Sequence, residues 1–310
     1  MPKVILYRLL QFPLVLAIIY VLTFLLVWVA PGSPFEHTDR QMDPAALQSL
    51  KERFHAESPW SFLTHYPRQI LFSGDFGPSL QYREWSVNDI LRSSLPVSLA
   101  LGLFALVIAS VVGVAVGTLA AVKRGGATDW FGLTLTLVGV SIPSFVAAAV
   151  LLILFASKLK WFPVGGWGGL GEMVLPAVAL SLAPMAYIVR LTRVAMLDVL
   201  GADYVRTARA KGLSRSAVVW KHCLRNALLP VLSYLGPAAA ATLTGSFVVE
   251  RVFNVPGLGR HFVNSVLNRD QTLILGTVMV YSAMLLLFNL LVDISYTLVD
   301  PRIELGGKDA

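Results

Sequence analysis

The chain has 310 residues with 25 basic and 18 acidic side chains, a formal net charge of +7 and a mean hydropathy of +0.69. Charged residues make up only 14% of the chain, against roughly 25% in soluble domains. Six stretches contain no Asp, Glu, Lys or Arg at all, namely 12–30, 95–122, 130–157, 173–189, 227–249 and 271–292. This distribution excludes a soluble globular protein, a disordered chain and a nucleic-acid-binding protein, despite the basic balance.

The six charge-free stretches predict six membrane-spanning helices. A bilayer core about 30 Å thick requires about 20 apolar residues of helix, because backbone polar groups in lipid must be satisfied within the segment. A β-barrel would show short alternating segments instead of these continuous ones. We expect the first stretch to remain as a membrane helix, because it is longer than the apolar part of a cleaved signal peptide. The predicted fold is therefore an all-α polytopic membrane protein.

Basic residues in the connecting segments predict the orientation, because cytoplasmic loops carry the excess of Lys and Arg. Lys3 and Arg8 place the N-terminus inside, and the segment 190–230 is also inside, with eight basic and two acidic residues. Six crossings bring the C-terminus back to the cytoplasm. The predicted regions are the N-terminus with the first helix (1–30), an extracytoplasmic loop region (31–94), the remaining five helices (95–299) with an inner loop at 200–230, and a cytoplasmic tail (300–310).

The inner loop has the sequence features of a helix, a sharp turn and a second helix. Asp203 is a candidate N-cap, and Gly212 is a candidate for the position of positive φ that ends a helix. Ser214 is a candidate N-cap for the second helix. Helical spacing places Tyr204, Ala208 and Lys211 on one face, which predicts a partner surface. The alternative interpretation is an ordinary basic loop.

The six residues 207–212, TARAKG, resemble the "EAA" loop of membrane subunits of binding-protein-dependent ABC importers. Arg206 stands where that family usually has glutamate. The longer segments YVRTARAKGLS and KHCLRNALLPVL resemble the dipeptide, oligopeptide and nickel permease branch. Further segments that resemble this branch follow in order: APGSPF (30–35), GDFGPS (74–79), SVND (86–89), SIPSF (141–145), PVGG (163–166), VPGLG (255–259) and VDPR (299–302). The forms PGSPF, GDFGPS and SVND are most similar to the B-type subunits of the oligopeptide branch.

The resemblance implies the type I ABC importer permease fold and a non-catalytic role in the bacterial inner membrane. It implies five kinds of partner: a homologous C-type permease that completes the pore, two cytoplasmic ATPases, an extracytoplasmic peptide-binding protein, the peptide substrate and membrane lipid. The ATPases would bind ATP and Mg²⁺, so no cofactor and no nucleic acid are expected for this chain. The residues that the resemblance assigns to the ATPase-coupling helix are Asp203, Tyr204, Arg206, Thr207, Ala208, Lys211, Gly212, Leu213 and Ser214.

Polar residues inside the apolar stretches are candidates for the lining of a pore, although hydroxyl groups also pack helices together. Pro143, flanked by Ser141 and Ser144, is expected to bend the third stretch. The pore candidates are Ser141, Pro143, Ser144, Ser181, Tyr187, Thr242, Ser246 and Asn289.

Other functions remain as alternatives. Within the same family, the cargo could be a dipeptide or a nickel or metal chelate instead of an oligopeptide. In a different class, an ion-coupled secondary carrier would show coupling residues at mid-membrane and an inverted repeat, and neither is clear. No metal site is expected, because the five histidines lack ligand-like spacing and Cys223 is the single cysteine.

Overall fold

The computed structural model describes residues 2–29, 58–80, 82 and 84–299, with the side chains of nearly all of them. These residues form twelve α-helices and two π-helical segments, and they contain no strand beyond an isolated bridge between Pro78 and Ser86. The helices are α1 (Pro2–Val29), α2 (Pro59–Ser73), α3 (Val87–Val122), α4 (Ala127–Ser141), α5 (Ser144–Leu151, continued by a π-helical Leu152–Lys158), α6 (Leu170–Leu200), α7 (Asp203–Ala210), α8 (Arg215–Ala217, continued by a π-helical Val218–Cys223), α9 (Leu224–Ala227), α10 (Leu229–Val252), α11 (Leu258–Asn268) and α12 (Gln271–Val299). The predicted all-α class is confirmed. Residues 31–57, 81 and 83 of the predicted loop 31–94, and the tail 300–310, lie outside the described residues.

Four of these helices are long and apolar enough to cross a bilayer. They are Tyr7–Val29, Val87–Val122, Leu170–Leu200 and Gln271–Leu291. A fifth candidate is the bent pair formed by α4 and α5. Over the fifth predicted stretch, α10 is helical, but the apolar helix among its fully described residues is only Leu229–Ala239. Six crossings therefore stay a prediction.

The third predicted stretch is broken at Pro143, as its sequence predicted. The helix before it ends at Ser141, the next begins at Ser144, and the two halves meet at an angle of 107°. Ile142 has extended backbone (φ −94°, ψ 118°), because the ring of a following proline disfavours the α-helical conformation. The carbonyl of Pro143 accepts hydrogen bonds from the next turn and starts the second half. This element is consequently a sharply bent pair of half-helices.

The chain forms two compact units. Among the described residues, the first contains 2–5, 99–255 and 287–299, and the second contains those within 6–98 and 256–286. In the first unit α6 packs against α4, α5 and α10. A Cβ atom at Gly139 of α4 would lie 2.7 Å from the carbonyl oxygen of Leu182, and one at Gly117 of α3 would lie 2.6 Å from that of Val189. Small residues at these contacts let helices approach backbone to backbone, which is how helices associate in a membrane.

A cluster of aromatic side chains joins α1, α2 and α12 in the second unit. Its buried members are Tyr20, Phe24, Phe62, Tyr66 and Leu275. The rings of Phe62 and Tyr66 stack at 5.1 Å, and the Tyr66 hydroxyl donates to the carbonyl of Thr272 at 3.0 Å. The helix α2 is thereby fixed to two membrane-spanning helices.

The GDFGPS segment and the following SVND segment form one hydrogen-bonded cluster in this second unit. The Asn88 side chain accepts a hydrogen bond from the Phe76 amide at 2.8 Å and donates to the Gly74 carbonyl at 2.6 Å. The Ser79 hydroxyl donates to Asp270 at 2.5 Å, and Asp270 also caps the start of α12 by accepting the amide of Leu273 at 3.1 Å. These bonds connect the 74–79 segment to the first turn of α3 and to the start of α12.

Candidate functional site

The inner loop folds as a short helix, a tight turn and a second helix, which we call the elbow (residues 202–227). The predicted cap of its first helix is wrong by one residue, because Ala202 has the extended cap conformation and no side chain caps the helix. Asp203 is instead the first helical residue, and its carboxylate lies where the helix dipole favours negative charge. Its ion pair with Arg206 is long, at 3.6 Å, and both side chains are exposed, so it contributes little stability.

The turn of the elbow has the geometry that the sequence predicted. Gly212 has φ +78°, in the left-handed region that favours glycine. Its amide donates to the carbonyl of Arg209 at 2.9 Å, and the amide of Leu213 donates to that of Ala208 at 3.3 Å. This pair of bonds is the Schellman motif, which satisfies carbonyl groups left open at a helix end. The direction in which the chain leaves α7 therefore depends on Gly212.

The second helix of the elbow begins as predicted and is tied to α3. The Ser214 hydroxyl accepts the amide of Ala217 at 3.3 Å, which makes Ser214 the N-cap. Arg215 donates to the carbonyl of Val122 at 2.7 Å, the last residue of α3. A cation at a helix C-terminus both satisfies an open carbonyl and complements the helix dipole. The elbow is thus attached to the inner end of α3.

One side of α7 is buried within this chain. Val205 and Ala208 are 0% and 6% exposed and pack in a cluster with Met196, Val219 and Cys223. Ala208 was predicted to lie on a partner surface; this is wrong, because its small side chain admits close packing against the second helix of the elbow. Burial also raises the pKa of the Cys223 thiol, so Cys223 behaves as a packing residue.

The opposite side of α7 is exposed and basic. The exposed residues of α7 and its turn are Asp203, Tyr204, Arg206, Thr207, Arg209, Ala210, Lys211, Gly212 and Leu213. The Tyr204 hydroxyl accepts a hydrogen bond from Asn226 at 2.9 Å, which ties α7 to α9 while leaving the ring 43% exposed. Lys221 and Arg225, also exposed, add to the positive charge. The elbow therefore has an anchored apolar side and a free cationic side.

An ion pair near the inner ends of two spans was not predicted from the sequence. Arg193 of α6 donates two hydrogen bonds to Asp129 of α4, at 2.6 and 3.0 Å, and Asp129 also accepts the amide of Gly125 at 2.9 Å. Asp129 is 4% exposed. The available signal was that each residue lies within four positions of the inner end of a charge-free stretch, on the same predicted side of the membrane.

The structure separates the pore candidates into different groups. Ser181 and Thr242 are buried between helices of this chain and donate to carbonyls of their own helices, so they serve helix packing. Tyr187 is 43% exposed, and its ring lies 5.4 Å from that of Tyr234. Ser141 and Pro143 are exposed, Ser144 and Asn289 are half-buried, and the Ser246 side chain lies outside the described residues.

Exposed polar side chains form a stripe on α6 and α10. Tyr187 and Arg190 of α6 and Ser233 of α10 are exposed, and the half-buried Tyr234 of α10 contacts the ring of Tyr187. Apart from Arg8 near the start of α1, the exposed large side chains described on α1 and α4 are aliphatic or aromatic, as expected of a surface in contact with lipid. An exposed arginine or hydroxyl on a membrane helix is costly in lipid and usually faces a cavity or another subunit. Across the described residues, no group of three His, Cys, Asp or Glu is placed to hold a metal ion.

Comparison with known proteins gives consistent matches. Residues 113–305 match the family described as "binding-protein-dependent transport system inner membrane component". The chain is 45% identical to the dipeptide transport system permease protein DppB of Bacillus subtilis, over 94% of each chain. It is 44% identical to the oligopeptide transport system permease protein OppB of Escherichia coli K12, over 98% of this chain and 100% of that protein. The fold is similar to a chain of the inward-facing MetNI methionine ABC transporter, with a TM-score of 0.56 at 18% identity, covering 68% of this chain and 96% of that one.

Proposed function

The chain belongs to the family of binding-protein-dependent transport system inner membrane components, and from this premise we propose that it is one of two permease subunits of an ABC importer for peptides. In this proposal a homologous C-type permease completes the pore. Two cytoplasmic ATPases bind ATP and Mg²⁺, and an extracytoplasmic protein delivers the peptide. This chain itself holds no cofactor and catalyses no reaction.

The observation that carries the proposal is the division of α7 into an anchored side and a free side. Val205 and Ala208 fix the helix to its own chain, whereas Arg206, Arg209 and Lys211 project outward. A helix held in this way transmits a displacement to the rest of its chain without rotating about its own axis. Its exposed charges suit an acidic groove on a motor subunit, and the elbow is then the coupling element between the ATPases and the membrane helices.

Movement of the elbow has a direct route into the membrane. It follows α6 after a two-residue turn and leads into α10, and Arg215 ties it to the end of α3. Closure of the ATPases would shift all three helices together and favour one of two states of the pore. Nucleotide at the inner end and the loaded binding protein at the outer end would bias the same equilibrium, which is the thermodynamic meaning of coupling.

We assign the polar stripe of α6 and α10 to the pathway. Tyr187, Tyr234 and Ser233 offer hydroxyl groups and aromatic rings, and Arg190 offers a cation. These groups suit a peptide, whose backbone is polar and whose side chains are partly apolar. Ser181 and Thr242 are not part of this assignment, because they are buried within the chain.

Within peptides, we propose oligopeptides as the cargo, on the forms of the 74–79 and 86–89 segments. Reconstituted transporter with its binding protein should take up a labelled pentapeptide in an ATP-dependent manner. Preferential uptake of a dipeptide or a nickel chelate would reassign the cargo within the family. Uptake driven by an ion gradient without ATP would replace the importer by a secondary carrier.

Assembly gives a second test. Affinity purification of this chain from mild detergent should retain two ATPases and a second permease. Arg206→Glu and Lys211→Glu should weaken retention of the ATPases more at low salt than at high salt, because exposed charges are screened. Asn226→Ala provides a control that removes an internal bond of the elbow without changing its charge. Retention that is independent of both charge and salt would contradict docking through this surface.

A further inference from the structure

The helix α2 carries large apolar side chains on both of its sides. On one side Phe62 and Tyr66 are buried against other helices of the second unit. On the other side Trp60, Leu71 and Phe72 are 76%, 79% and 87% exposed. At 3.6 residues per turn these three lie within about 120° of one another, facing away from the buried pair. The same side also carries the exposed Thr64, His65 and Arg68, so it is mixed in character. Exposed apolar side chains as large as these three mark a surface that lipid or another molecule covers.

The contacts of α2 with α1 and α12 lie within the parts of these two helices that are predicted to cross the membrane. The Tyr20 hydroxyl of α1 donates to the carbonyl of Leu63 at 3.3 Å. Val29, where the apolar span of α1 ends, is nine residues further on, about 13 Å along the axis. Leu275, in the same cluster, lies four residues inside the span that begins at Gln271, about 6 Å from its end. Half of a hydrocarbon core about 30 Å thick is about 15 Å, so Tyr20 and Leu275 both lie in the leaflet nearer to these two span ends.

Two polar side chains on the exposed side of α2 lie within hydrogen-bonding distance of the helix backbone, an arrangement that is compatible with lipid. The Thr64 hydroxyl donates to the carbonyl of Trp60 at 3.1 Å, and Nδ1 of His65 lies 3.3 Å from that of Ser61. Bonds of this kind satisfy short polar side chains where water is scarce. Arg68 has an aliphatic stem long enough to carry its guanidinium group to the headgroups.

Other exposed side chains of α1 at the same level indicate what covers this side. Leu22, Leu25 and Leu26, within two turns of Tyr20 on that membrane-spanning helix, are also exposed, so α1 contacts lipid at the level where α2 packs against it. We propose that α2 is embedded in a single leaflet, the outer one in the predicted orientation, with Trp60, Leu71 and Phe72 in contact with lipid. Part of the segment 31–94 is then a membrane element and not an extramembrane loop. The inference requires that α1 and α12 cross the membrane, and it does not depend on the transported substrate.

The test is site-directed spin labelling of the complete transporter in liposomes. Trp60→Cys, Leu71→Cys and Phe72→Cys are labelled one at a time, and Cys223 stays in place because it is fully buried. Collision rates are measured with oxygen, which concentrates in lipid, and with a water-soluble nickel chelate. Glu84→Cys is the matched control, because Glu84 is exposed just outside the start of α3.

We expect labels at 60, 71 and 72 to collide with oxygen several-fold more than with the chelate, and the label at 84 to show the reverse. Preferential collision with the chelate at all four positions would show that α2 lies in water, which overturns the proposal. Low collision with both reagents in the complete transporter, lost when the binding protein or second permease is removed, would show a protein partner and also overturn it. Because the three side chains are largely exposed, the substitutions should not disturb folding.

Discussion

Replacing Gly212 with valine tests whether the turn of the elbow carries coupling. A Cβ atom at this position meets nothing within 4 Å, so the substitution causes no clash. Its cost is conformational, because a left-handed backbone is unfavourable for an L-residue by about 1–2 kcal/mol, and a β-branched residue is a stronger outlier. A change of this size shifts the equilibrium about 5–30-fold toward elbows with an altered turn. The exit direction of α7, and with it the docking of the cationic side, should change accordingly.

The assay is peptide uptake, together with stimulation of ATP hydrolysis by loaded binding protein, in proteoliposomes of the complete transporter. Gly74→Val is the matched control: Gly74 also ends a helix with positive φ (+62°), and a Cβ atom there likewise meets nothing within 4 Å. We expect uptake and stimulation to fall about 5–30-fold for Gly212→Val, through uncoupling or loss of the ATPases, and to be largely kept for Gly74→Val. Normal stimulation in Gly212→Val, or equal losses in both variants, would refute the role of the elbow.

Three further predictions concern stability, each measured by unfolding of the purified transporter. Asp129→Asn should lower the free energy of unfolding by roughly 3 kcal/mol, because it leaves Arg193 without its buried partner. Replacing both residues by apolar ones should recover most of this loss. An unchanged melting temperature in Asp129→Asn would show that the pair is solvated. Gly165→Ala should lower the free energy of unfolding by about 1–3 kcal/mol, because its Cβ atom would lie 2.3 Å from the carbonyl oxygen of Phe253. Gly169→Ala, where a Cβ atom meets nothing within 4 Å, should leave the stability unchanged. Equal effects of the two substitutions would contradict the close contact. Burial lowers the pKa of His261 from 6.5 to about 4, so on acidification the unfolded chain takes up a proton before the folded chain does, and stability is lost as the pH falls from 6.5 to 4. In His261→Gln, the free energy of unfolding should depend less on pH over this range. The same pH dependence in both proteins would be evidence against the buried neutral ring.

The sequence predicted the helical class and the local geometry of the elbow well. Charge-free length requires helices in a bilayer, and the left-handed Gly212 and the Ser214 cap depend only on neighbouring residues. The break at Pro143 was predicted but its angle of 107° was not, because a proline indicates that a helix is interrupted without determining the direction of the next half.

Features that depend on tertiary packing were not predictable in the same way. Helical spacing placed Ala208 on the same face of α7 as Tyr204, but it could not show that the second helix of the elbow would bury Ala208. The Asp129–Arg193 pair joins residues 64 positions apart, and it required knowledge of which spans are neighbours. The segment GDFGPS was useful as a family signature, yet nothing in its letters indicated that Asn88 and Asp270 hold it by hydrogen bonds.

The two sides of α7 place different evolutionary constraints on neighbouring residues. Substitution of Val205 or Ala208 would disturb the fold itself, whereas exchange of Arg206, Arg209 or Lys211 would leave the interior untouched. If α7 docks on an ATPase as proposed, altering a few of these charges would change the affinity for that subunit and leave the packing inside the elbow intact.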